Sequence, residues 1–309
     1  MTDVDARPSS SMIDYPNWAA TCDTLHGYTQ ILGKLAVKLA APQPQLQHAA
    51  LQLTVRGWET PVLPAPDGSG VFGVLLDLRS HQAVVEHSSG ALAAFPLTPG
   101  RSVADVTAAI LDRVGSFAGQ VQIDTTAQEV PWSVPLDKDH EHATYDVAAV
   151  ERYFDAATRA ATALAIYRAP YRGRSTPVNA WWGSFDLAVS LFSGAAANPS
   201  SEGFIERNAM DAQEVAVGWW PGDARYPRAA FYAYAHPAPA GYSAAQLSPA
   251  AWHDDLGEYV LPWSDVEASD DPQRTSLEFL RGALRYSCGA CEWDPTLTDS
   301  AFGTPPPVR

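Results

Sequence analysis

His26, Gln30 and Lys34 recur every fourth residue, so on a helix they form one polar ridge. An imidazole and an ammonium on such a ridge, pointed into a cleft, would suit an anionic ligand and proton exchange with it. A solvated helix flank is the competing reading. Gly27 and Gly33 lie beside the ridge. Glycine is costly inside a helix, which implies that something approaches closely there. The stretch Trp181-Trp182-Gly183-Ser184-Phe185-Asp186 is joined later by Trp219-Trp220-Pro221-Gly222 and Phe231-Tyr232-Ala233-Tyr234. Alternating aromatics on neighbouring strands can line a pocket in which Asp186, Glu214 and the tyrosine hydroxyls are the polar contacts. They can equally form a bulky core. A carboxylate on a strand between apolar residues needs a partner or a shifted pKa, and such groups cluster at functional sites.

Other candidates carry less. Cys288 and Cys291 have the C-x-x-C spacing of redox and zinc sites. They extend the Leu280/Leu284 helical stripe, however, and no second ligand pair accompanies them, so core thiols are expected. His140-Glu141-His142 could put two imidazoles on one side of a strand, but its spacing is not that of helical metalloprotease ligands. Loop histidines are expected, and no metal site is assigned. There is no G-x-S-x-G elbow, no phosphate-binding loop and no dinucleotide fingerprint, which lowers the weight of the common hydrolase, NTPase and Rossmann dehydrogenase folds.

The chain has 309 residues, 46% hydrophobic and 18% charged, a composition that folds. A net charge of -15 without a basic patch argues against nucleic acid or an anionic membrane as partner. No run approaches the ~18 apolar residues of a membrane span, and the polar, acidic start does not resemble a signal peptide. Three cysteines cannot build a disulfide framework in a chain of this size. A soluble protein in reducing cytoplasm is the expectation. No cofactor and no oligomeric state is indicated.

The elements that must position these residues follow from periodicity. Leu25, Tyr28, Leu32, Leu35 and Leu39 predict a helix from about Asn17 to Leu39, stopped by Pro42 and Pro44. Strands are expected at 51–56, 72–78, 82–86 and 92–97, with antiparallel neighbours because their connections are short. Ser102 to Asp105 resembles a capping box opening a helix, and the Pro-rich, acidic segment 124–142 reads as a linker. A second helix carries the stripe from Val147 to Leu164. Strand-like segments follow at 178–192, 214–219, 229–236 and 258–261, and a last helix starts at Asp271-Pro272. The class is α+β, mainly antiparallel sheets flanked by helices, with a helix–strands–helix order that recurs and suggests pseudo-duplication. Residues 1–13 form a disordered lead and 297–309 an extended tail. Residues 14–296 form one unit with sub-halves 14–123 and 143–296.

Several of these stretches resemble a bacterial family catalogued as domain of unknown function 5996. The resemblance rests on Thr24-Leu25-His26, Thr29-Gln30-Ile31, Gly33-Lys34, Trp182 to Ala188, Trp220-Pro221-Gly222, Phe231 to Ala235, Leu256-Gly257-Glu258 and Leu261-Pro262. It spans about Pro16 to Asp294 and brings no activity with it. It implies that His26, Gln30, Lys34, His48, Arg56, His142, Asp186, Glu214, Tyr232, Tyr234 and Glu258 sit at motif positions. Asn179 stands where the pattern implies a histidine, and Ala238 where it implies a glutamate.

The leading expectation is a small-molecule-binding protein, with an enzyme left open, whose cleft lies between the first helix and the second group of strands. Lys34 and Arg56 would hold an anionic group, and His26 or His142 would exchange protons. Asp186 or Glu214 would orient the histidine or act as base, while Gln30, Trp182, Tyr232 and Tyr234 complete the ligand contacts. The alternative is a non-catalytic interaction or structural module.

Overall fold

In the computed structural model, which describes residues 13–199 and 201–297, the first helix is central to the molecule. α1 (Tyr15–Leu39) starts with Pro16 in its first turn, where a missing N–H costs nothing, and ends ahead of Pro42. Every residue from Thr24 to Ala36 is buried, including the ridge of His26, Gln30 and Lys34. A solvated flank is therefore excluded. A Cβ at Gly33 would fall 2.1 Å from the Trp182 indole, and one at Gly27 would fall 2.5 Å from Val103. These contacts are the close approach that the two glycines imply.

The first sheet holds β1 (Gln52–Leu53), β2 (Gly57–Glu59), β3 (Leu63–Pro64), β4 (Val71–Asp77), β5 (Gln82–His87) and β6 (Leu92–Pro96), in the order β1-β2-β4-β5-β6 with β3 also paired to β4. All pairs are antiparallel. The alternation across 51–56 predicts one strand, but the chain turns after Leu53. Thr54 Oγ1 accepts from the amides of Arg56 and Gly57, and Gly57, at φ +156°, brings the backbone against Leu76. The expected capping box is present: Ser102 and Asp105 cap each other at the start of α2 (Val103–Phe117).

α3 (Val147–Arg168) opens the second half, capped by Asp146. The second sheet contains β7 (Asn179–Trp181), β8 (Asp186–Ala196), β9 (Ala212–Trp220), β10 (Ala230–His236), β11 (Ala251–His253) and β12 (Glu258–Pro262), with α4 (Phe204–Ala209) between β8 and β9. Its order is β11-β12-β10-β9-β8-β7, antiparallel throughout. α5 (Trp263–Glu267) and α6 (Pro272–Ala290) complete the described chain. α4 has no buried residue, so it leaves no apolar period to read. The fold is thus α+β, and the order of helix, strands and helix recurs in the two halves.

The two sheets are separate but touch edge to edge through paired hydrogen bonds between Leu51 and Ala180. One core runs through both halves, from Leu25 and Trp58 to Phe231 and Leu280. α3 and α6 pack on one face of the second sheet, against Leu187, Val189, Val215, Val217, Trp219 and Phe231, which are all buried in that core. Alternation along a strand then puts Asp186, Glu214, Gly218, Tyr232 and Tyr234 on the opposite face. The segment 124–142, expected as a linker, packs closely at Leu136 and Asp139, which are buried. Among the described residues no helix is long and apolar enough to cross a membrane. The expected lead and Pro-rich tail fall outside the described residues, except for Ile13 and Leu297.

Candidate functional site

Asp186 begins β8, and the four residues before it are held from several directions. The Trp182 indole packs over Gly33 and donates to the carbonyl of Ala49 at 3.1 Å. His26 Nε2 lies 2.9 and 3.0 Å from the carbonyls of Trp182 and Gly183. Since carbonyls only accept, this nitrogen carries the proton. Burial lowers the His26 pKa to about 4, which keeps the ring neutral. The rings of His26, Trp58 and Tyr153 stack around Phe185 at 5.0–5.3 Å. Phe185 itself has φ +56°, a region that costs a bulky residue energy and is sustained only by such over-determined surroundings.

Asp186 is fixed in turn. Ser184 Oγ donates to one carboxylate oxygen and the Tyr232 hydroxyl to the other. Tyr232 is on β10, two strands away, with β9 between them. Its ring reaches Asp186 by lying across Gly218 of β9, where any Cβ would fall 2.3 Å from the phenol. A glycine inside a strand here serves a close approach.

Around this pair the outer face of the sheet forms a cleft with two adjoining lobes, of about 830 and about 720 Å³ including space open to solvent. Glu129, Ser184, Asp186, Tyr232 and Tyr234 border both. The first lobe adds Glu214, Phe192, Trp181 and Trp182, the small side chains Ala188 and Ala216, and Ile205 and Met210 around α4. The second adds Trp220, Asp223, Arg225, Leu256 and Glu258. Glu129 belongs to a strap across the cleft. Gln30 exchanges two 2.8 Å hydrogen bonds with the backbone of Gln128, and Lys34 pairs with Asp124 at 3.4 Å. Glu129 also has positive φ, as do Gln45 and Leu46 in the wall of the first lobe. Four of the non-glycine residues in this region of φ therefore border or brace one cleft.

The electrostatics follow from burial. Glu214 is buried and its carboxyl is pushed up to about 7, although Ser190 and Arg174 oppose the shift. Glu258 is pushed up to about 8 by burial and by Asp186, with Arg225 opposing. Asp186 is raised by burial against the hydrogen bonds from Ser184 and Tyr232. Glu129 rises too, by enclosure and then by Asp186 and Glu206, although it is the most exposed of these carboxyls. Burial holds the Tyr232 and Tyr234 hydroxyls well above the usual phenol value. Among the described residues, no hydrogen-bond partner meets the carboxyls of Glu129 and Glu258 or the hydroxyl of Tyr234.

The structure thus brings Asp186, Glu214, Trp182, Tyr232 and Tyr234 together. It places His26, Gln30 and Lys34 behind the cleft, as braces of the 182–185 turn and the strap. Lys34 also lies 5.6 Å over the Trp182 ring. Arg56 is elsewhere, paired at 2.8 Å with Asp77 on the first sheet. His142 Nδ1 sits 2.6 Å from Asp139 and its ring is 4.4 Å from Trp132. His140 faces Ser102 instead, and no group of three His, Cys, Asp or Glu among the described residues is spaced to hold a metal ion. The Cys288 thiol, buried at the end of α6, is pushed up to about 12 and is no activated nucleophile. Asn179 donates to Gln47 in the wall of the first lobe, and Ala238 is exposed. Sequence reasoning missed Glu129 and Arg225, for which there is no periodic signal. It also missed Gly218, where a glycine inside an aromatic strand was a signal for close approach.

Residues 11–300 match the model of a family described as a family of unknown function, DUF5996. No curated protein and no solved structure matches the chain. With nearly its whole length matched, the chain belongs to that family.

Proposed function

We propose that this member of the DUF5996 family is a cytoplasmic small-molecule-binding protein whose ligand occupies the two-lobed cleft on the outer face of the second sheet. The observation that carries this reading is the contrast inside one cleft between fixed and free polar groups. Asp186, Ser184 and Tyr232 satisfy one another across three strands, while Glu129, Glu258 and Tyr234 beside them have no partner. Glu129 is exposed and Glu258 and Tyr234 are half-buried along the open cleft, so all three are placed to contact a ligand that enters it. The walls support the same reading: apolar and aromatic surface with a few convergent polar groups is the usual composition of a small-molecule site. Carboxyls raised to about 7 and about 8 are also suited to acid–base chemistry near neutral pH. An enzymatic role would fall to Glu258 or Glu214, with Asp186 and Tyr232 as the fixed frame.

The test is native mass spectrometry of wild type and Asp186→Asn after incubation with a metabolite extract of the host. A stoichiometric added mass on wild type, lost in a folded Asp186→Asn, is expected. Equal masses on both, or none on either, would remove the proposal.

The rival interaction module draws on a different place. Val62 and Val71 are 72% and 40% exposed and border one shallow depression at the first sheet, an apolar spot of the kind partners cover. Its prediction is that Val62→Ser changes complex formation while cleft variants do not.

A further inference from the structure

Among the described residues, the two lobes are bordered by six carboxylate side chains (Glu129, Asp186, Glu206, Glu214, Asp223 and Glu258) and by one cationic side chain, Arg225. Arg225 is already engaged. Its Nε and Nη2 reach Asp223 Oδ2 at 3.2 and 2.9 Å, and its backbone amide donates to Asp223 Oδ1. Of the other cations near the cleft, Lys34 is held by Asp124 and Arg174 donates to Gln45 in the wall of the first lobe. The Glu258 carboxyl therefore lies half-buried in a polar lobe, with no hydrogen bond among the described residues and no cation of its own. The Tyr234 hydroxyl beside it is unpaired as well. Around them stand the rings of Trp220, Tyr232 and Tyr234, with the two tyrosines stacked at 6.2 Å. Aromatic faces beside an acidic lobe suit a positive charge, which the ring quadrupole attracts. The other lobe carries Glu206 and Glu214 besides the shared Glu129 and Asp186, and adds Phe192, Ile205, Met210 and small alanines, against which an apolar body fits.

We infer that the ligand is an organic cation, with an ammonium or amidinium-type nitrogen seated between Glu258, Tyr234 and Asp186 and an apolar body extending toward Glu214. This rests on the small-molecule reading above and specifies its chemistry. An anionic ligand, expected from Lys34 and Arg56 in the sequence, would meet repulsion from every free charge in the cleft. A cation supplies the donors that Glu258 lacks, and charge-assisted hydrogen bonds of that kind are the strong ones.

The inference has a pH signature. Glu258 faces Asp186, Asp223 and Arg225, the hydroxyls of Tyr232 and Tyr234, and His253 as its cross-strand neighbour on β11. A cation binds the ionised carboxylate, so affinity rises as pH climbs toward about 8, where Glu258 loses its proton, and levels above it.

The test uses benzamidinium, which stays charged across this range, against its neutral analogue benzamide and against benzoate. Binding is measured by calorimetry on the full-length protein from pH 6 to 9. Wild type should bind benzamidinium alone, with affinity at pH 9 about tenfold or more above that at pH 6. Glu258→Gln should lose most of the affinity and the rise centred near pH 8, keeping only the smaller rise near pH 7 from Glu129 and Glu214. Tyr234→Phe, which leaves every charge in place, should weaken binding severalfold and keep the pH dependence. Binding of benzamide or benzoate as tight as that of benzamidinium would overturn the cation inference and leave the cleft as a binding site. Benzamidinium binding unchanged in Glu258→Gln would overturn it too, as would no binding of any of the three probes. The small-molecule reading itself stands or falls on the separate metabolite-extract measurement.

Discussion

Asp77 of the first sheet and Asp186 of the second are 4% and 5% exposed, yet their carboxyls shift in opposite directions. Burial works against the charge at Asp77, but the amide and hydroxyl of Ser80, the guanidinium of Arg56 and the amide of Arg79 outweigh it, and the pKa is lowered. Asp186 accepts from two hydroxyls and its own backbone amide, and burial prevails. Equal surface exposure therefore does not set the outcome: Asp186 lies under more protein than Asp77, and Asp77 has the larger supply of backbone amides and a cation. The two sheets differ in the same way. The first sheet pairs its buried acid, Asp77, and raises only the half-buried Glu59, which Arg56 opposes. The second collects raised, partly unpaired acids over a cleft, the arrangement that polar groups take where they await something other than the protein.

The largest test of that difference is pH. Folding raises the Glu214 carboxyl from 4.5 to about 7, so the folded protein keeps a proton that the unfolded chain has lost. Stability accordingly falls as pH rises from about 4.5 to about 7, and the deficit persists above that. Glu214→Gln should remove it, raising stability at pH 8 by about 3 kcal/mol and leaving it nearly unchanged at pH 4, in urea unfolding at the two pH values. A Gln that destabilises equally at both would mean that Glu214 is paired like Asp77.

Two strand glycines give the next contrast. Gly218→Ala drives a methyl into the Tyr232 ring and should cost about 1–3 kcal/mol and abolish ligand retention. At Gly73, on β4 of the first sheet, the nearest atom to a Cβ is Thr60 Oγ1 at 3.7 Å. Gly73→Ala should therefore be neutral or stabilising by up to about 1 kcal/mol. Thermal melts of the pair decide it, and similar losses at both sites would break the comparison.

The smallest effect belongs to the paired acid. Asp77→Asn should cost about 1–2 kcal/mol at pH 7, moderated because Arg56 is about half exposed. Because the Asp77 pKa is depressed, its contribution is present above about 3.8 and lost as pH falls further. The difference between mutant and wild type should shrink toward pH 2 in acid unfolding curves.

How much of this was legible depended on whether a residue's neighbours were local. The stripe in α1, the capping box of Ser102 and Asp105, and the alternation in β4 are local patterns and were readable, whereas the single strand expected over 178–192 is two, β7 and β8, parted by the turn at 182–185. Asp186, Glu214, Tyr232 and Tyr234 were readable as candidates because polar groups interrupt apolar strands there. What could not be read was direction across the fold. His26, Gln30 and Lys34 share a ridge as expected, but their partners are 90–157 residues away. Only the tertiary structure shows that they brace the cleft from behind. Glu129 reaches the cleft from a segment without periodicity, held by Gln30, so no local signal marks it. Arg56 looked free in sequence because its partner, Asp77, lies on a neighbouring strand.

The most direct measurement is a crystal structure of protein purified from its own host without exchange of its bound contents. The account predicts electron density for an organic molecule between Glu258, Tyr232 and Tyr234, within hydrogen-bond distance of Glu258 and extending toward Glu214. A cleft filled only by water, with a bound molecule or partner on the outer face of the first sheet instead, would contradict it.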